Sequence, residues 1–419
     1  MAAAPESAGT GKGMIGWIDQ RFPLTKLWKD HVAEYYAPKN FNFWYFFGAL
    51  SLLVLANQIV TGIFLTMSYK PSAAEAFASI EYIMRDVEWG WLIRYMHTTG
   101  ASAFFIVVYL HMFRALLYGS HRKPRELVWI FGCLIFLLLM AEAFMGYVLP
   151  WGNMSFWGAQ VIVSLFGSLP VIGGTLVEWI RGDYNIADPT LNRFFALHVA
   201  ALPLALVFLV IAHIMALHEV GSNNPDGIDI KKYKDADGHP LDGIPFHPYY
   251  TVKDLLGTAG FLLIFAAVIF FAPNFFGLFL ESPNFEMANP LQTPPDITPV
   301  WYFTPFYAML RAIPSAFGTQ VWGVMVMGAA VLILFFAPWL DKSPVRSIRY
   351  KGPIYKVMLA LFAISFVCLA VCGMKPPSGI YPILARICTA VYFAFFVLMP
   401  WYTKFDSVKP EPERVTEHA

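Results

Sequence analysis

Four histidines lie inside two long apolar stretches of the sequence. They are His97 and His111 in the first stretch, and His198 and His213 in the second. A neutral imidazole in hydrocarbon is costly unless its nitrogens have partners, so four of them need a common explanation. Imidazole is also the commonest protein ligand for metals. Two helices that each carry two stacked imidazoles would build two bis-histidine metal sites, which is an arrangement suited to passing electrons across a membrane.

The spacing of these histidines keeps each pair on one face of its helix. At about 1.5 Å rise per residue, His97 and His111 are roughly 21 Å apart along the axis, and the second pair is slightly further apart. At about 100° per residue, fourteen residues leave a net rotation near −40°, and fifteen residues leave one near +60°. Two haem sites explain this pattern best, with a proton relay and a mononuclear metal site as the alternatives.

The composition places these stretches in a membrane. The chain has 419 residues, of which 58% are hydrophobic and 14% are charged, and its formal net charge is +1. Soluble proteins average about 25% charged residues. These values therefore indicate a polytopic membrane protein and give no sign of nucleic-acid binding. All four cysteines lie in apolar segments, where they fit best as small hydrophobic residues; a metal or disulfide role for Cys368 and Cys372 is the alternative.

Eight segments are apolar enough to span a membrane, which takes about 20 residues each. The predicted fold is all-α, with eight transmembrane helices and a four-helix di-haem bundle. The predicted spans are 43–67, 91–118, 127–148, 194–218, 256–273, 319–339, 355–373 and 381–402. The predicted parts are a cytoplasmic N-terminal segment with a surface helix (1–42), the haem-binding bundle (43–225), a cytoplasmic linker (226–253), a C-terminal four-helix part with a proline-rich outer loop (254–403) and a cytoplasmic tail (404–419).

Lysine and arginine set the predicted orientation of these spans. Both terminal segments and the loops after spans two, four and six are rich in these residues, whereas the other loops hold one or two each. Both termini are therefore predicted to be cytoplasmic. Spans two and four then run in the same direction, so His97 is level with His198 near the outer surface, and His111 with His213 near the inner surface.

Glycines and arginines beside the histidines would hold the haems. The glycines of spans one and three are fourteen residues apart, as the first histidine pair is, and would admit two flat macrocycles; close helix packing is the alternative. Arginines three residues outside the histidines of span two would pair with haem propionates, or would snorkel to the membrane surface. These candidate cofactor-binding residues are Gly48, Gly62, Gly132, Gly146, Arg94 and Arg114.

Five runs of sequence resemble cytochrome b, the central subunit of the cytochrome bc complexes. They are RDVEWGWLIRYMHTTGAS at 85–102, GYVLPWGNMSFWGAQVI at 146–162, RFFALH at 193–198, HEVGSNNPDGI at 218–228 and PVWYFTPFYAMLRAIP at 299–314. The runs occur in the family's order over nearly the whole chain. The resemblance implies the di-haem, quinol-oxidising and quinone-reducing subunit of a respiratory quinol–cytochrome c oxidoreductase (complex III).

The resemblance also implies cofactors and partners. Two haem b groups would be bound, the low-potential one by His97 and His198 and the high-potential one by His111 and His213. Electrons would pass from an outer quinol site through both haems to an inner quinone site, coupled to proton translocation. The implied partners are a Rieske-type iron–sulfur protein, a cytochrome c1-type subunit, a second copy of the complex and membrane lipid, in a bacterial inner (cytoplasmic) membrane.

Two further groups of residues would line the quinone sites. The outer group is Phe144, Met145, Tyr147, Gly158, Ile162, Pro299, Tyr302 and Tyr307, and the inner group is His218, Ser222, Lys253 and Asp254. An apolar pocket with a few polar groups suits a quinol ring. Interfacial aromatic packing is the alternative for the outer group. A solvated helix start with an acidic cap is the alternative for Lys253 and Asp254.

The outer-site motif departs from the family pattern at one position. It most often reads Pro-Glu-Trp-Tyr, but Val300 stands here in place of the acid. Valine can neither accept a proton nor form a hydrogen bond. We expect another carboxylate of the same loop, Asp296 or Glu286, or a chain of waters, to replace it.

The spacing of the second histidine pair also departs from part of the family. Fourteen residues separate His198 from His213, where mitochondrial members typically have thirteen. This spacing indicates a bacterial protein. Pro203 breaks the helical hydrogen-bond ladder between the pair, so a local bulge or kink there would absorb the extra residue.

Two other functions are compatible with parts of the sequence. A di-haem cytochrome b anchor of a membrane dehydrogenase or hydrogenase would also carry transmembrane histidines, but it needs fewer spans and no proline-rich outer loop. A proton-coupled transporter without haem would need carboxylates within the membrane. The predicted spans contain a single one, Glu142.

Overall fold

A computed structural model describes residues 13–29, 33–315 and 319–416, and these residues are mainly helical. The helices are α1 (Met14–Asp19), α2 (Leu24–Trp28), α3 (Phe46–Thr66), α4 (Ala76–Arg85), α5 (Gly90–Tyr118), α6 (Glu126–Val148), α7 (Asn153–Phe166), α8 (Gly173–Arg181), α9 (Asp188–Ala196), α10 (Leu202–Val220), α11 (Tyr249–Phe271), α12 (Thr304–Ala312), α13 (Val321–Leu340), α14 (Pro353–Gly373), α15 (Tyr381–Val397) and α16 (Met399–Phe405). A π-helical turn, Leu197–Ala201, joins α9 to α10. Short 3-10 turns occur at Phe43–Tyr45, Ile230–Lys232, Phe275–Gly277, Ser282–Phe285 and Trp301–Phe303.

The membrane-spanning helices confirm the predicted all-α fold. In the described residues, seven helical segments are long and apolar enough to cross a membrane: α3, α5, α6, the continuous α9–α10 segment, α11, α13 and α14. The eighth span is the pair α15 and α16, which is bent by 60°. Pro400 lies in the first turn of α16, where its missing N–H and fixed φ allow the chain to restart in a new direction. Apolar composition alone did not predict this bend.

Two spans begin earlier than predicted. The fourth begins at Asp188 instead of 194, and the fifth begins at Tyr249 instead of 256. The first two turns of these helices contain charged residues, such as Asp188 and Lys253, which an apolar window leaves out. Helices continue beyond the apolar core of a membrane because their backbone bonds are satisfied within the segment wherever they lie.

The helices that carry the histidines form two close pairs. Helix α3 packs along α5, and α6 packs along α10, so each histidine-bearing helix has a glycine-bearing neighbour. Helices α12 to α15 pack against one another as a second unit, which contacts the first through α13 and α6. Trp129 of α6 fixes this contact by donating a hydrogen bond from its indole to the main-chain oxygen of Leu334.

The apolar core has two parts. The larger part runs between the spans and includes Phe105, whose ring stacks on that of Tyr302 at a centroid distance of 4.0 Å. The smaller part lies beneath the connections that follow α3 and α6, and it buries Trp151 and Leu191. Helices α4, α7 and α8 lie in these connections and cover one end of the bundle. On the opposite side, strand β1 (Tyr36–Pro38) pairs antiparallel with β2 (Gly243–Pro245).

The π-helical turn absorbs the extra residue of the second histidine pair. It contains His198 and ends two residues before Pro203, close to the predicted bulge. A π turn inserts one residue into a helix, and such bulges occur often at functional sites. Fifteen residues with one π insertion give about the net rotation of fourteen ordinary residues, near −40°. The two histidine pairs are thereby brought to the same rotation, so both can face each other.

Candidate functional site

The structure brings the four histidines together in two pairs. The ring centroids of His97 and His198 lie 6.2 Å apart, and those of His111 and His213 lie 6.4 Å apart. We name them the outer pair and the inner pair after the predicted orientation. Imidazole nitrogens bind a transition metal at about 2 Å, and two such bonds plus two ring radii amount to roughly 6 Å. Both pairs therefore fit a metal centre held between two axial imidazoles.

Most of the Nδ1 atoms of these rings have polar neighbours. In the outer pair, Nδ1 of His97 is 2.9 Å from the hydroxyl of Thr61. Nδ1 of His198 is 2.9 Å from the main-chain oxygen of Glu142 and 3.0 Å from its carboxyl group. Because Nδ1 donates to these oxygens, the remaining nitrogen, Nε2, is the one free to bind a metal.

The inner pair has different neighbours. Nδ1 of His111 accepts a hydrogen bond from Arg114 at 3.1 Å. Nδ1 of His213 is buried near the main-chain oxygen of Val128 but makes no hydrogen bond with the described residues. The contact with Arg114 must open before His111 can bind a metal through Nε2, because this contact leaves the ring proton on that atom.

Each predicted glycine lies against a histidine ring. A Cβ atom at Gly48 would lie 3.3 Å from the ring of His111, and one at Gly62 would lie 3.3 Å from that of His97. The corresponding distance from Gly132 to the ring of His213 is 3.5 Å, whereas a Cβ at Gly146 would overlap the ring of His198. The glycines therefore make room for the imidazoles themselves. At Gly146 no larger residue fits without a shift of the ring.

The two predicted arginines lie one turn from the histidines of α5. The guanidinium of Arg114 packs 4.6 Å over the ring of Tyr45, and its Nε and the Tyr45 hydroxyl are buried without hydrogen-bond partners among the described residues. Orphaned buried donors are costly, and an anionic group between them would satisfy both. Arg94 lies three residues before His97, in the second turn of α5. Tyr45 was not singled out from the sequence, because an aromatic residue at a helix start has no distinguishing signal.

The predicted outer quinol residues gather around Tyr147, at the end of α6. A Cβ at Gly158 would lie 3.7 Å from the Tyr147 ring, and the ring of Phe144 packs against Phe194. The Tyr147 hydroxyl donates a hydrogen bond of 2.8 Å to the carboxyl group of Glu281.

The remaining members of the outer group lie on α6, on α7 and along the second half of the proline-rich loop. Tyr302 is buried, and Tyr307 donates from its hydroxyl to the main-chain oxygen of Ile297 at 3.3 Å. Met145, Ile162 and Pro299 are half-buried.

The expected replacement acids are not at this position. Asp296 and Glu286 are both exposed, and neither makes a described contact with Tyr147 or Tyr302. Glu281 contacts Tyr147 instead, while Val300 is buried at 3% exposure. Sequence reasoning missed Glu281, although it is an acid that directly follows the apolar run 275–280.

The predicted inner quinone residues lie at the other end of the bundle. The ring of His218 stacks on that of Tyr35 at 4.5 Å, and the hydroxyl of Tyr35 lies 2.9 Å from that of Ser222. Lys253 lies 4.4 Å over the ring of Tyr249, and Asp254 is half-buried in the second turn of α11. Tyr35 comes from the N-terminal segment, far away in sequence, so only the fold identifies it.

Two histidine pairs, stacked between two pairs of membrane-spanning helices, have the arrangement typical of a membrane-bound cytochrome. The family model "Cytochrome b/b6/petB" matches residues 32–221, and "Cytochrome b(C-terminal)/b6/petD" matches residues 287–393. The chain belongs to the cytochrome b family, as its motifs predicted. It is therefore the electron-transfer subunit of a bacterial quinol–cytochrome c oxidoreductase, and the dehydrogenase-anchor and transporter alternatives are excluded.

Similar proteins cover nearly the whole chain. It is 63% identical over 406 residues to cytochrome b of Allochromatium vinosum, covering 96% of this chain and 98% of the relative. It is 48% identical over 403 residues to cytochrome b of Rhodospirillum rubrum, covering 96% of each. A chain of a solved "Hyperthermophilic respiratory Complex III" is 39% identical, with a TM-score of 0.86 over 94% of this chain and 99% of that one.

Proposed function

We propose that the outer and inner histidine pairs each bind one haem b, through the Nε2 atoms of His97 with His198 and of His111 with His213. The observation that carries this proposal is the spacing of the rings, 6.2 Å and 6.4 Å between centroids. When bound, haem b supplies a one-electron redox couple at each site, and two such couples stacked across the membrane link an outer quinol to an inner quinone.

The residues around the rings position them and balance charge. Gly48, Gly62, Gly132 and Gly146 let the imidazoles approach the neighbouring helix. Arg114 with Tyr45 at the inner site, and Arg94 at the outer site, would hold propionate groups, since a guanidinium pairs well with a carboxylate. Thr61 and the main-chain oxygen of Glu142 fix the ring orientations of the outer pair.

The outer group forms the quinol site in this proposal. Phe144, Met145, Ile162 and Pro299 supply apolar surface that excludes water, and Gly158 leaves room beside Tyr147. Tyr147, Tyr302 and Tyr307 supply the polar atoms that orient the quinol ring.

The inner group forms the quinone-reducing site. His218 and Asp254 can donate protons toward the two quinone oxygens, because both side chains are titratable and neither is fully enclosed. Ser222 and Lys253 add hydrogen-bond donors, and Tyr35 positions His218 by stacking on it. Protons taken up here come from the inner aqueous phase, and protons released at the quinol site leave on the outer side.

The membrane arrangement and the assembly belong to the same proposal. We assign both termini and the segment 226–253 to the cytoplasmic side of a bacterial inner membrane, because lysine and arginine concentrate there. The haem-binding bundle is then 43–225, and the C-terminal four-helix part is 254–403. A Rieske-type iron–sulfur protein, a cytochrome c1-type subunit and a second copy of the complex complete the enzyme.

A redox titration of the purified complex tests this function. We expect two b-type components in the wild type, one of which changes when an inner-site inhibitor of the antimycin type is added. His198→Ala and His213→Ala should each remove one haem b, as counted by a pyridine haemochrome assay. His239→Ala, which changes an exposed histidine, should keep both. Two haems retained in either substitution of the paired histidines would contradict the proposal.

A further inference from the structure

Glu281 is a carboxylate that the outer loop brings to the end of α6. It lies directly before the 3-10 turn Ser282–Phe285, in the connection between α11 and α12. Its Oε2 atom accepts a hydrogen bond of 2.8 Å from the hydroxyl of Tyr147. The loop therefore places a titratable group against one of the tyrosines that line the proposed quinol site.

Glu281 also acts on the second tyrosine of that site. Burial raises the pKa of Tyr302, and the negative charge of Glu281 raises it further. Tyr302 belongs to the motif in which the acid is missing, two residues after Val300. Glu281 therefore acts on a tyrosine of the same motif in which Val300 replaces the usual acid.

We propose that Glu281 is the proton acceptor of the quinol-oxidising site and performs the role that Val300 cannot. This inference rests on the proposed function of the outer group. In the step, the O–H bond of one quinol hydroxyl breaks and its proton binds the Glu281 carboxylate. One electron of the quinol passes to the b-type centres. The proton and the electron of the other hydroxyl leave to the iron–sulfur partner, so that quinol loses two protons and two electrons and becomes quinone. Glu281 then releases its proton to the outer aqueous phase.

The electrostatics of the site suit a proton acceptor. Burial raises the pKa of Glu281 to about 7, and the hydrogen bond from Tyr147 acts against that rise. Within the described part of the chain, the titratable groups that face it are two tyrosines, Tyr147 from α6 and Tyr302 from the loop. A general base works best when its pKa is near the working pH. Below pH 7 the carboxyl group is protonated and cannot accept a proton, so quinol oxidation should slow as the pH falls through 7.

The test is the rate at which quinol reduces the b-type centres in the purified complex, with the inner site blocked by an antimycin-type inhibitor. We expect Glu281→Gln to slow this reduction roughly 100-fold or more at pH 8, since general acid–base groups contribute about 10²–10⁴-fold. The rise in rate with a midpoint near pH 7 should disappear. Glu281→Asp should keep a pH-dependent step. Glu178→Gln, which changes an exposed glutamate of α8, should match the wild type.

Each outcome separates this inference from the function on which it rests. If Glu281→Gln keeps its haems and retains the wild-type rate and pH profile, Glu281 is not the acceptor. The same conclusion follows if Glu286→Gln or Asp296→Asn, but not Glu281→Gln, abolishes the pH step. If Glu281→Gln loses haem, a flat pH profile in Glu281→Asp overturns the assignment. If a stigmatellin-type inhibitor leaves wild-type reduction unchanged, the proposed outer quinol site itself is wrong.

Discussion

The two histidine pairs use the same backbone arrangement but different side chains around it. The ring of His198 lies beside Gly146 of α6 and the main-chain oxygen of Glu142. The ring of His213 lies beside Gly132 of α6 and the main-chain oxygen of Val128. In both cases the oxygen belongs to the residue four positions before the glycine. Glu142 and Val128 are fourteen residues apart, as the two glycines are. The two residues differ in their side chains. Glu142 brings a carboxyl group to 3.0 Å from Nδ1 of His198 in the outer pair, whereas the inner pair has the apolar Val128 at this position.

The histidines of α5 extend this difference. Thr61 offers an oxygen to His97 in the outer pair, whereas Arg114 donates to His111 in the inner pair. Hydrogen-bond acceptors on Nδ1 make an imidazole a more basic ligand, which stabilises the oxidised metal. A nearby cation favours the reduced metal, but each pair has one, Arg94 at the outer pair and Arg114 at the inner pair. The hydrogen-bond acceptors on its histidines should therefore give the outer site the lower reduction potential, which is the order of potentials that the family resemblance implied.

The largest expected effect separates the two glycines of α6. Gly146→Ala should remove the outer haem, because the added Cβ overlaps the ring of His198, whereas Gly132→Ala should keep the inner haem because its Cβ would be at 3.5 Å. The haem content and the number of b-type components in a redox titration measure this difference. Equal haem content in the two variants would show that the glycines are equivalent.

The next effect concerns the cation of the inner site. Arg114→Gln should lower the potential of the inner component by on the order of 100 mV, because it removes a positive charge near the metal. Two unit charges roughly 7–8 Å apart interact by about 2 kcal/mol at an effective dielectric constant near 20. Arg114→Lys keeps the charge and should shift the potential much less. A potential that is unchanged in Arg114→Gln would mean that the arginine charge does not act on this site.

A smaller shift should follow from the carboxyl group of the outer site. Glu142→Val makes this position like that of the inner site and should raise the outer potential by on the order of 20–65 mV. A hydrogen bond contributes about 0.5–1.5 kcal/mol, and 59 mV is a tenfold change for one electron. The inner component of the same sample is the internal control. A fall in the outer potential, or equal shifts in both components, would contradict the comparison.

The smallest effect is expected at Thr61, whose hydroxyl also donates to the main-chain oxygen of Asn57. Thr61→Val removes a neutral acceptor from His97 and should raise the outer potential by roughly 20 mV, which corresponds to about 0.5 kcal/mol. Thr61→Ser keeps the hydroxyl and should match the wild type in the same titration. A shift larger than that of Glu142→Val would reverse the relative importance assigned to the two residues.

Much of the fold and the histidine pairing was predictable from local sequence properties. The apolar length of each span and the alternation of basic loops are local properties, and they led to eight spans and to level histidines without any knowledge of contacts. The glycines of spans one and three were also predicted from the sequence, because they share the fourteen-residue spacing of the first histidine pair. The early start of α11 and the bend between α15 and α16 were missed, because apolar composition does not report where a helix continues in polar sequence or changes direction.

The sequence by itself determined which residues are available to bind metal and that they lie on two parallel spans, because helix period, apolar length and charge act within a segment. It also showed that Val300 cannot accept a proton. Only the tertiary structure decided that a π turn aligns the second pair, that the carboxyl group of Glu142 distinguishes the two sites, and that Glu281 reaches Tyr147 across 134 residues. Such contacts depend on how distant segments pack, and no local pattern in the sequence encodes them.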